Sequence, residues 1–297
     1  MNNWKEKFQS WSQPPSTTEQ EKSGNAEAGI KKAIEGNPEL ASKDITVFPQ
    51  GSYPANTNVR LDSDVDICVL CRKTFFYHLP QGKTPEHFQI KPATFEFAEY
   101  KNLVQQALID RFGRSGVTRG DKAFDVHSNT YRVDADAIAT FEYRFYPDEN
   151  SPRYLTGTSF LCDKDGRRIH NYPQQSLENG RTKNESTGRR YKRVVRILKA
   201  LRNEMQDEGV HGSEEVASFL IESLVYRVHD SYFGHEEISD DVKNVLHFLL
   251  GNLATEQTCS SWTEVNEIKF LFHQTQPWTR ERASAFVWAA IQYTALK

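Results

Sequence analysis

No apolar run in this sequence approaches the length of a membrane-spanning helix. The N-terminus, Met1-Asn2-Asn3-Trp4-Lys5-Glu6-Lys7, also lacks the apolar centre of a secretory leader. Together these absences predict a cytoplasmic protein with no membrane association. Cysteine is scarce, with four residues, and only Cys68 and Cys71 are near neighbours in sequence. A single C-x-x-C without a second pair does not complete a zinc site, and on a strand its odd spacing sends the two thiols to opposite faces. Cys162 and Cys259 stand alone, so all four read as reduced structural thiols. Charge of one sign is not in excess either. The formal net charge of −3 argues against a general nucleic-acid binder, and no basic tail or appended RNA-binding module is visible. The nine histidines show neither metal-ligand spacing nor a partner suited to a Ser or Cys nucleophile.

What is present is a soluble composition with enough apolar content, 37% of 297 residues, for two lobes sharing one cleft. The most informative stretch begins at Ile45-Thr46-Val47-Phe48, a strand pattern ended by Pro49 and followed by Gly51-Ser52. Glycine there permits backbone N–H groups to approach a phosphate closely, and Ser52 adds a hydroxyl; an ordinary turn is the alternative. After a short gap come Asp62-Ser63-Asp64-Val65-Asp66 and the apolar strand Ile67-Cys68-Val69-Leu70. Asp62 reads as a flanking loop acid. Side chains at i and i+2 leave one face of a strand, so Asp64 and Asp66 point together. Asp134 and Asp136 repeat the pattern later in the chain. Carboxylates brought to about 4 Å repel by roughly 4 kcal/mol per pair at an effective dielectric near 20, so such a cluster calls for divalent cations. An all-oxygen ligand set suits Mg²⁺, with Mn²⁺ as a substitute, and two such ions support phosphoryl transfer.

The first part of the chain reads as mixed α/β. Ser16-Thr17-Thr18-Glu19 has the form of a capping box, and Ala26, Ile30, Ala33 and Ile34 line one face of the long helix beyond it. Strands are predicted near 45–50, 65–71, 122–127 and 130–145, with a helix over 97–112, a loop over 77–92 and a hairpin turn at Cys162-Asp163-Lys164-Asp165-Gly166. From Pro173 the pattern turns helical, with segments expected at 173–185, 187–207, 213–231, 239–255, 263–274 and 278–295. Residues 1–172 therefore form one lobe and 173–297 a helical second lobe, packed against the first without a flexible linker. Trp262, Trp278 and Trp288 are expected in the helical core.

Residues 181–202 hold nine Lys or Arg and one acid, Glu185. Lys192, Arg196, Lys199 and Asn203 fall on one helical face, opposite Val194, Ile197, Leu198 and Leu201. That stripe suits a triphosphate, or is a solvated basic face. Glu222 and Ser223 lie in an apolar helix pattern and read as a buried polar pair. Tyr53, beside the Gly-Ser turn, stacks on a base or packs.

Gly51-Ser52, Ser63-Asp64-Val65-Asp66 and Asp136-Ala137-Ile138-Ala139-Thr140-Phe141 resemble the three signature elements of the polymerase-beta-like nucleotidyltransferases. Within that superfamily the chain is similar to the bacterial cGAS/DncV-like nucleotidyltransferases. Asn171-Tyr172-Pro173, Glu178-Asn179-Gly180, Lys183-Asn184, the run from Tyr191 to Lys199 and Phe219-Leu220-Ile221-Glu222-Ser223 carry the likeness into the second half. Ala139 stands where the family usually carries Pro, and alignment on the family's Asp-x-x-Pro favours Asp136 over Asp134 as third carboxylate. The resemblance implies a mixed-sheet catalytic lobe with a long N-terminal helix, a helical lobe and an active site in the cleft between them. It implies that Asp64, Asp66 and Asp136 bind two Mg²⁺ ions and carry catalysis. Gly51 and Ser52 would cradle donor phosphates, Lys192 and Lys199 would engage the triphosphate with Lys183 as a weaker candidate, and Ser223 would touch base or phosphate. The implied activity condenses NTPs, ATP among them, into a cyclic di- or trinucleotide messenger with release of pyrophosphate. An antiphage role, a monomeric enzyme, a downstream effector that senses the product and no stable nucleic-acid partner complete that expectation. The alternatives are transfer to an RNA, protein or small-molecule acceptor, and a non-catalytic nucleotide-binding scaffold.

Overall fold

The computed structural model describes residues 4–60, 64–93 and 95–296. Met1, Asn2 and Asn3 of the N-terminal stretch, and Asp62 and Ser63 of the carboxylate motif, lie outside the described residues. The chain opens with α1 (Trp4–Trp11), α2 (Thr17–Glu35) and the single turn α3 (Pro38–Ala41). Strand β1 (Ile45–Gln50) passes through the short α4 (Ser52–Ala55) to the long β2 (Val65–His78). Next come α5 (Phe97–Phe112), β3 (Val117–Arg119), β4 (Phe124–Val126), β5 (Ala135–Phe145), β6 (Leu155–Leu161) and β7 (Arg168–Asn171). The remainder is helical: α6 (Pro173–Ser186), α7 (Tyr191–Asp207), α8 (Ser218–Tyr226), α9 (Ile238–Leu253), the turn α10 (Glu256–Cys259) and α11 (Arg280–Thr294). The fold is mixed α/β with a helical C-terminal part.

The strands form one sheet in the order β1-β2-β5-β4-β3, with β6 on β5 and β7 on β6. Only β2 and β5 run parallel among the described pairings. Alternation decides which face is covered. Val65, Ile67, Val69 and Cys71 of β2 join Ala135, Ala137 and Ala139 of β5 in a core with α2 and α5. Asp66, Cys68 and Leu70 therefore leave the opposite face. Helix α2 starts as its sequence dictates: the Ser16 hydroxyl accepts from the Glu19 N–H, and the Glu19 carboxylate accepts from the Ser16 N–H at 2.8 Å. Its apolar stripe, Ala26, Ile30, Ala33 and Ile34, is buried, as are Tyr100, Val104, Ala107 and Leu108 of α5. The Tyr100 hydroxyl donates to the Val69 carbonyl at 2.8 Å, pinning α5 to β2 without wasting a buried donor.

The two compact units are not contiguous in sequence. One comprises 16–54 and 64–173; the other comprises 174–297 together with 1–15 and 55–63. Within the helical unit α7, α8, α9 and α11 share a core that also takes Phe8 of α1. Three expectations are corrected by the fold. Residues 263–274 do not form a helix: Thr263 bridges Phe270, and the Asn266 side-chain oxygen accepts from the N–H groups of Ile268 and Lys269, a local bonding pattern that competes with a helix. Trp288 is 57% exposed, whereas Trp278 is buried with its indole N–H donating to the Leu271 carbonyl at 2.8 Å. The segment read as a loop over 77–92 gives its first two residues to β2 and carries a short helical turn at Pro85–Phe88.

Replacing Ser16 with Ala removes one half of the α2 cap. Stability should fall by about 1 kcal/mol, read as a lower urea midpoint at unchanged denaturant sensitivity.

Candidate functional site

Strand register builds the site. Asp66 stands opposite Asp136 in the parallel β2–β5 pair. Strand β1 sets Gln50 opposite Asp66, and β4 sets Asp125 opposite Asp136. Register partners share a sheet face, so Gln50, Asp66, Asp136 and Asp125 form one row across four strands, on the face away from α2 and α5. Asp64, exposed, precedes β2 by one residue. Sequence reasoning missed Asp125, because a single acid carries no Asp-x-Asp signal. Its position between buried Phe124 and Val126 was the available clue. Asp134 is engaged elsewhere: its carboxylate accepts from the Ser128 N–H at 2.6 Å and its carbonyl from the Val65 N–H at 3.1 Å. Asp136, not Asp134, faces Asp66.

The row is electrostatically strained. Burial, with the charges of Asp136 and Asp64 added, pushes the Asp66 carboxyl up to about 7. Asp136 is raised by burial and by Asp64 and Asp125. Tyr53 is raised by burial and by the negative charges of Glu19 and Asp64. Gly51 lies against this row. Its φ is +72°, which favours glycine, and a Cβ built there would sit 2.5 Å from Asp66 Oδ2 and push that carboxylate out of place. Ser52, half-buried, opens the short α4.

Among the described residues no three His, Cys, Asp or Glu side chains converge as a preformed metal cage. The donor chemistry nevertheless fits Mg²⁺. That ion takes one or two protein carboxylates and completes its shell with water and substrate phosphate. Opposed Asp66 and Asp136, with Asp64 nearby in charge, supply hard oxygens only. Gln50 Oε1 is buried without a hydrogen-bond partner among the described residues and stands beside Asp66 in register. The raised carboxyls express burial first and mutual repulsion second, both of which a bound cation would offset.

The basic stripe on α7 has a different environment from the one its spacing suggested. Arg196 is buried and donates to the Ser12 and Asn56 carbonyls. Lys199, 2% exposed, pairs with Glu222 Oε2 at 3.0 Å and donates to Thr57 Oγ1 at 3.4 Å. Helical periodicity identified the face; it did not show that 55–58 covers it. Lys183 pairs with Asp230 and donates to the Val228 carbonyl at 2.6 Å. Lys192 is half-buried, with no hydrogen bond from its ammonium among the described residues; burial, with Arg196 and Arg181, pushes its pKa down. Ser223 is fully buried in α8, its hydroxyl without a partner among the described residues.

Comparison with known proteins bears on the fold and the family. The family described as cGAS/DncV-like nucleotidyltransferase C-terminal helical domain matches residues 178–295. The chain is 43% identical over 293 residues to a cyclic dipyrimidine nucleotide synthase, CdnE, of Legionella pneumophila, covering 98% of this chain and 97% of that protein. It superposes on the Rhodothermus marinus CdnE c-UMP-AMP synthase, solved with Apcpp and Upnpp, at a TM-score of 0.85 and 28% identity, covering 98% of this chain and 96% of the other. For Elizabethkingia meningoseptica CdnE cyclic dinucleotide synthase, solved with GTP and Apcpp, the TM-score is 0.81 at 32% identity, with 98% of each chain covered.

The strain on Asp66 has a pH signature. Its folded pKa of about 7 lies above the ordinary 3.8, so its contribution to stability is full below pH 3.8 and is lost as pH rises through 7. In chelator, unfolding free energy should fall across that window by up to about 4 kcal/mol, at ~1.4 kcal/mol per unit of pKa. Asp66→Asn should remove most of that slope in a urea series run from pH 4 to 8, and added Mg²⁺ should flatten it in the wild type.

Proposed function

The chain belongs to the cGAS/DncV-like nucleotidyltransferase family, and on that premise we propose that it condenses two nucleoside triphosphates into a cyclic dinucleotide, releasing pyrophosphate. The observation that carries this reading is the register of Asp66 opposite Asp136, with Gly51 packed on the Asp66 carboxylate. The likeness to cyclic dinucleotide synthases over nearly the whole chain supports the product class.

In each round a ribose hydroxyl of the acceptor attacks the α-phosphorus of the donor. A new O–P bond forms as the bond to the pyrophosphate oxygen breaks, and the hydroxyl proton leaves toward Asp136. Asp64, Asp66 and Asp136 would hold two Mg²⁺ or Mn²⁺ ions, whose chemistry at such a site is Lewis-acid neutralisation of phosphate charge. The protein's share is positioning. The Gly51–Ser52 turn offers backbone N–H groups and a hydroxyl to the donor phosphates, and Lys192 is the α7 cation available for a phosphate. A second transfer on the linear intermediate closes the ring. A pyrimidine nucleotide is common to the names of the Legionella and Rhodothermus relatives, so at least one substrate is proposed to be a pyrimidine triphosphate, with ATP as the other candidate. A cyclic product has no terminal phosphate for phosphatases to remove, which suits a diffusible signal read by an effector; a role in antiphage defence belongs to the same proposal.

Incubating the protein with all four NTPs and Mg²⁺ or Mn²⁺, followed by phosphatase and mass spectrometry, should yield a resistant cyclic product containing a pyrimidine. Product formed only when RNA, protein or a small acceptor is added would favour the alternative transferase. Asp64→Ala combined with Asp66→Ala should abolish pyrophosphate release, and retained turnover would sink the assignment. Gly51→Ala should lower turnover by about 100-fold, the scale of an ångström's misplacement at a reacting centre, with no loss of secondary structure by circular dichroism.

A further inference from the structure

We propose that Gln50 is part of the cation site at Asp66, its side-chain oxygen accepting a hydrogen bond from a water on the ion. The inference rests on the proposed two-cation site and adds to it a residue that no carboxylate pattern marks. Gln50 Oε1 is buried and has no hydrogen-bond partner among the described residues. Most buried polar side-chain atoms in folded proteins find a partner, so an orphan of this kind calls for a physical account. Its neighbours in the sheet supply none. Gln50 ends β1 and stands opposite Asp66 in the antiparallel β1–β2 pair, within one compact unit. Two residues back on the same face is Phe48, which offers no donor. Opposite Phe48 is Cys68, whose thiol is engaged with Thr140 Oγ1 at 3.1 Å. Asp66 itself, as a carboxylate, only accepts.

A cation supplies what these neighbours lack. Mg²⁺ keeps several waters when it binds protein carboxylates, and those waters present O–H donors outward. Strand partners have Cβ atoms about 5 Å apart, so an ion on the Asp66 carboxylate carries its waters toward the glutamine of the next strand. The main chain also draws close there. Gly51, the residue after Gln50, lies against Asp66, and a Cβ built on it meets Oδ2 at 2.5 Å. The residue type fits the role as well. The row already holds Asp66, Asp136 and Asp125, and a further carboxylate at position 50 would add to their repulsion. An amide brings an oxygen of the same hard chemistry without the charge. Groups that bond the ligands and waters of a bound ion orient them and tune its affinity. Gln50 is therefore a positioning residue: it holds hydration water, while Asp66 holds the ion.

The test is Mn²⁺ binding to the full-length, substrate-free protein, read by electron paramagnetic resonance of the free ion and paired with urea unfolding in chelator. Gln50→Met keeps the length of the side chain and removes its oxygen. It should weaken Mn²⁺ binding by about tenfold, the scale for losing a group that bonds a metal's ligands. Its urea midpoint in chelator should stay at or above that of the wild type, because an unpaired buried oxygen has been removed. Gln50→Glu, which keeps an oxygen, should bind Mn²⁺ at least as tightly as the wild type, with a lower midpoint in chelator from the added repulsion. Unchanged or tighter binding by Gln50→Met overturns the inference, and is the result expected of an amide whose Nε2 donates to Asp66 instead. Weaker binding by Gln50→Met with a lowered midpoint in chelator also overturns it, as a loss of packing, and so does weaker binding by Gln50→Glu. A wild type that takes up no Mn²⁺ removes the two-cation site and the inference with it. A wild type that binds Mn²⁺ beside a Gln50→Met protein that binds it equally removes the role of Gln50 alone, so the two failures can be told apart.

Discussion

The parallel pairing of β2 with β5 is the constraint on which the sheet-bearing unit depends, because it holds Asp66 and Asp136 opposite each other against their own repulsion. Nothing in the carboxylates favours that placement. It is enforced from the other face, where Val65, Ile67, Ala135 and Ala137 are buried under α2 and α5. A slip of one residue in either strand would turn the acids into that core and the aliphatic residues out of it, so hydrophobic burial fixes the register and the register fixes the charge. The raised carboxyl of Asp66 is the visible cost of this arrangement. On the proposed reading a bound cation relieves it, in a fold that would otherwise be more stable with neutral residues in the same row.

The departure at Ala139 can be understood in the same terms. Strand β5 pairs along one edge with β4 over 135–137 and with β6 over 141–145, and 139 falls in the interval between those ladders. An interval of this kind tolerates proline, which cannot donate to a ladder, and places no demand for it. Ala139 stands opposite Val69 in the core beneath α5, where Tyr100 stacks on Phe141 with ring centroids 5.3 Å apart. A small side chain at 139 fits among these larger ones, so the substitution leaves the row of acids upstream with the same backing.

Much of this was legible in the sequence, for a physical reason that differs by element. The α2 cap and the extent of α5 could be read because caps and 3.6-residue periodicity are local properties. Alternation, also a local property, paired Asp64 with Asp66 and Asp134 with Asp136, and only the resemblance preferred Asp136; the structure places Asp64 just before β2 and Asp134 on the Ser128 N–H. Asp125 showed in the sequence only as an acid between two apolar residues, and pairing with β5 gives it its place in the row. Periodicity failed at 263–274, where the side chain of Asn266 satisfies backbone groups that a helix would need. It also failed for Trp288, whose helix is apolar enough that the pattern alone did not say which face was covered. The association of 1–15 and 55–63 with the helical unit left no mark at all, because packing between distant segments is written in shape and not in spacing.

On helix α7, regular spacing conceals unequal environments. Lys192, Arg196 and Lys199 share one face and one sign, yet they have three different physical situations. Arg196, buried, is satisfied by backbone carbonyls; its pKa is pushed down to about 10 by burial and by Arg193 and Arg60, so it remains charged at neutral pH. Its planar fork suits such carbonyls, since it spreads charge over several donors. Lys199 carries a compact charge and accordingly has a carboxylate, Glu222, as its counter-ion. Lys192 has no hydrogen bond from its ammonium among the described residues, and its pKa is pushed down by burial, with the charge of Glu222 opposing and Arg196 and Arg181 adding to the shift. A cation destabilised by burial gains stabilisation when an anion arrives. The stripe that looked uniform in sequence thus divides into two residues whose charge is already committed to structure and one, Lys192, that is proposed to meet a substrate phosphate.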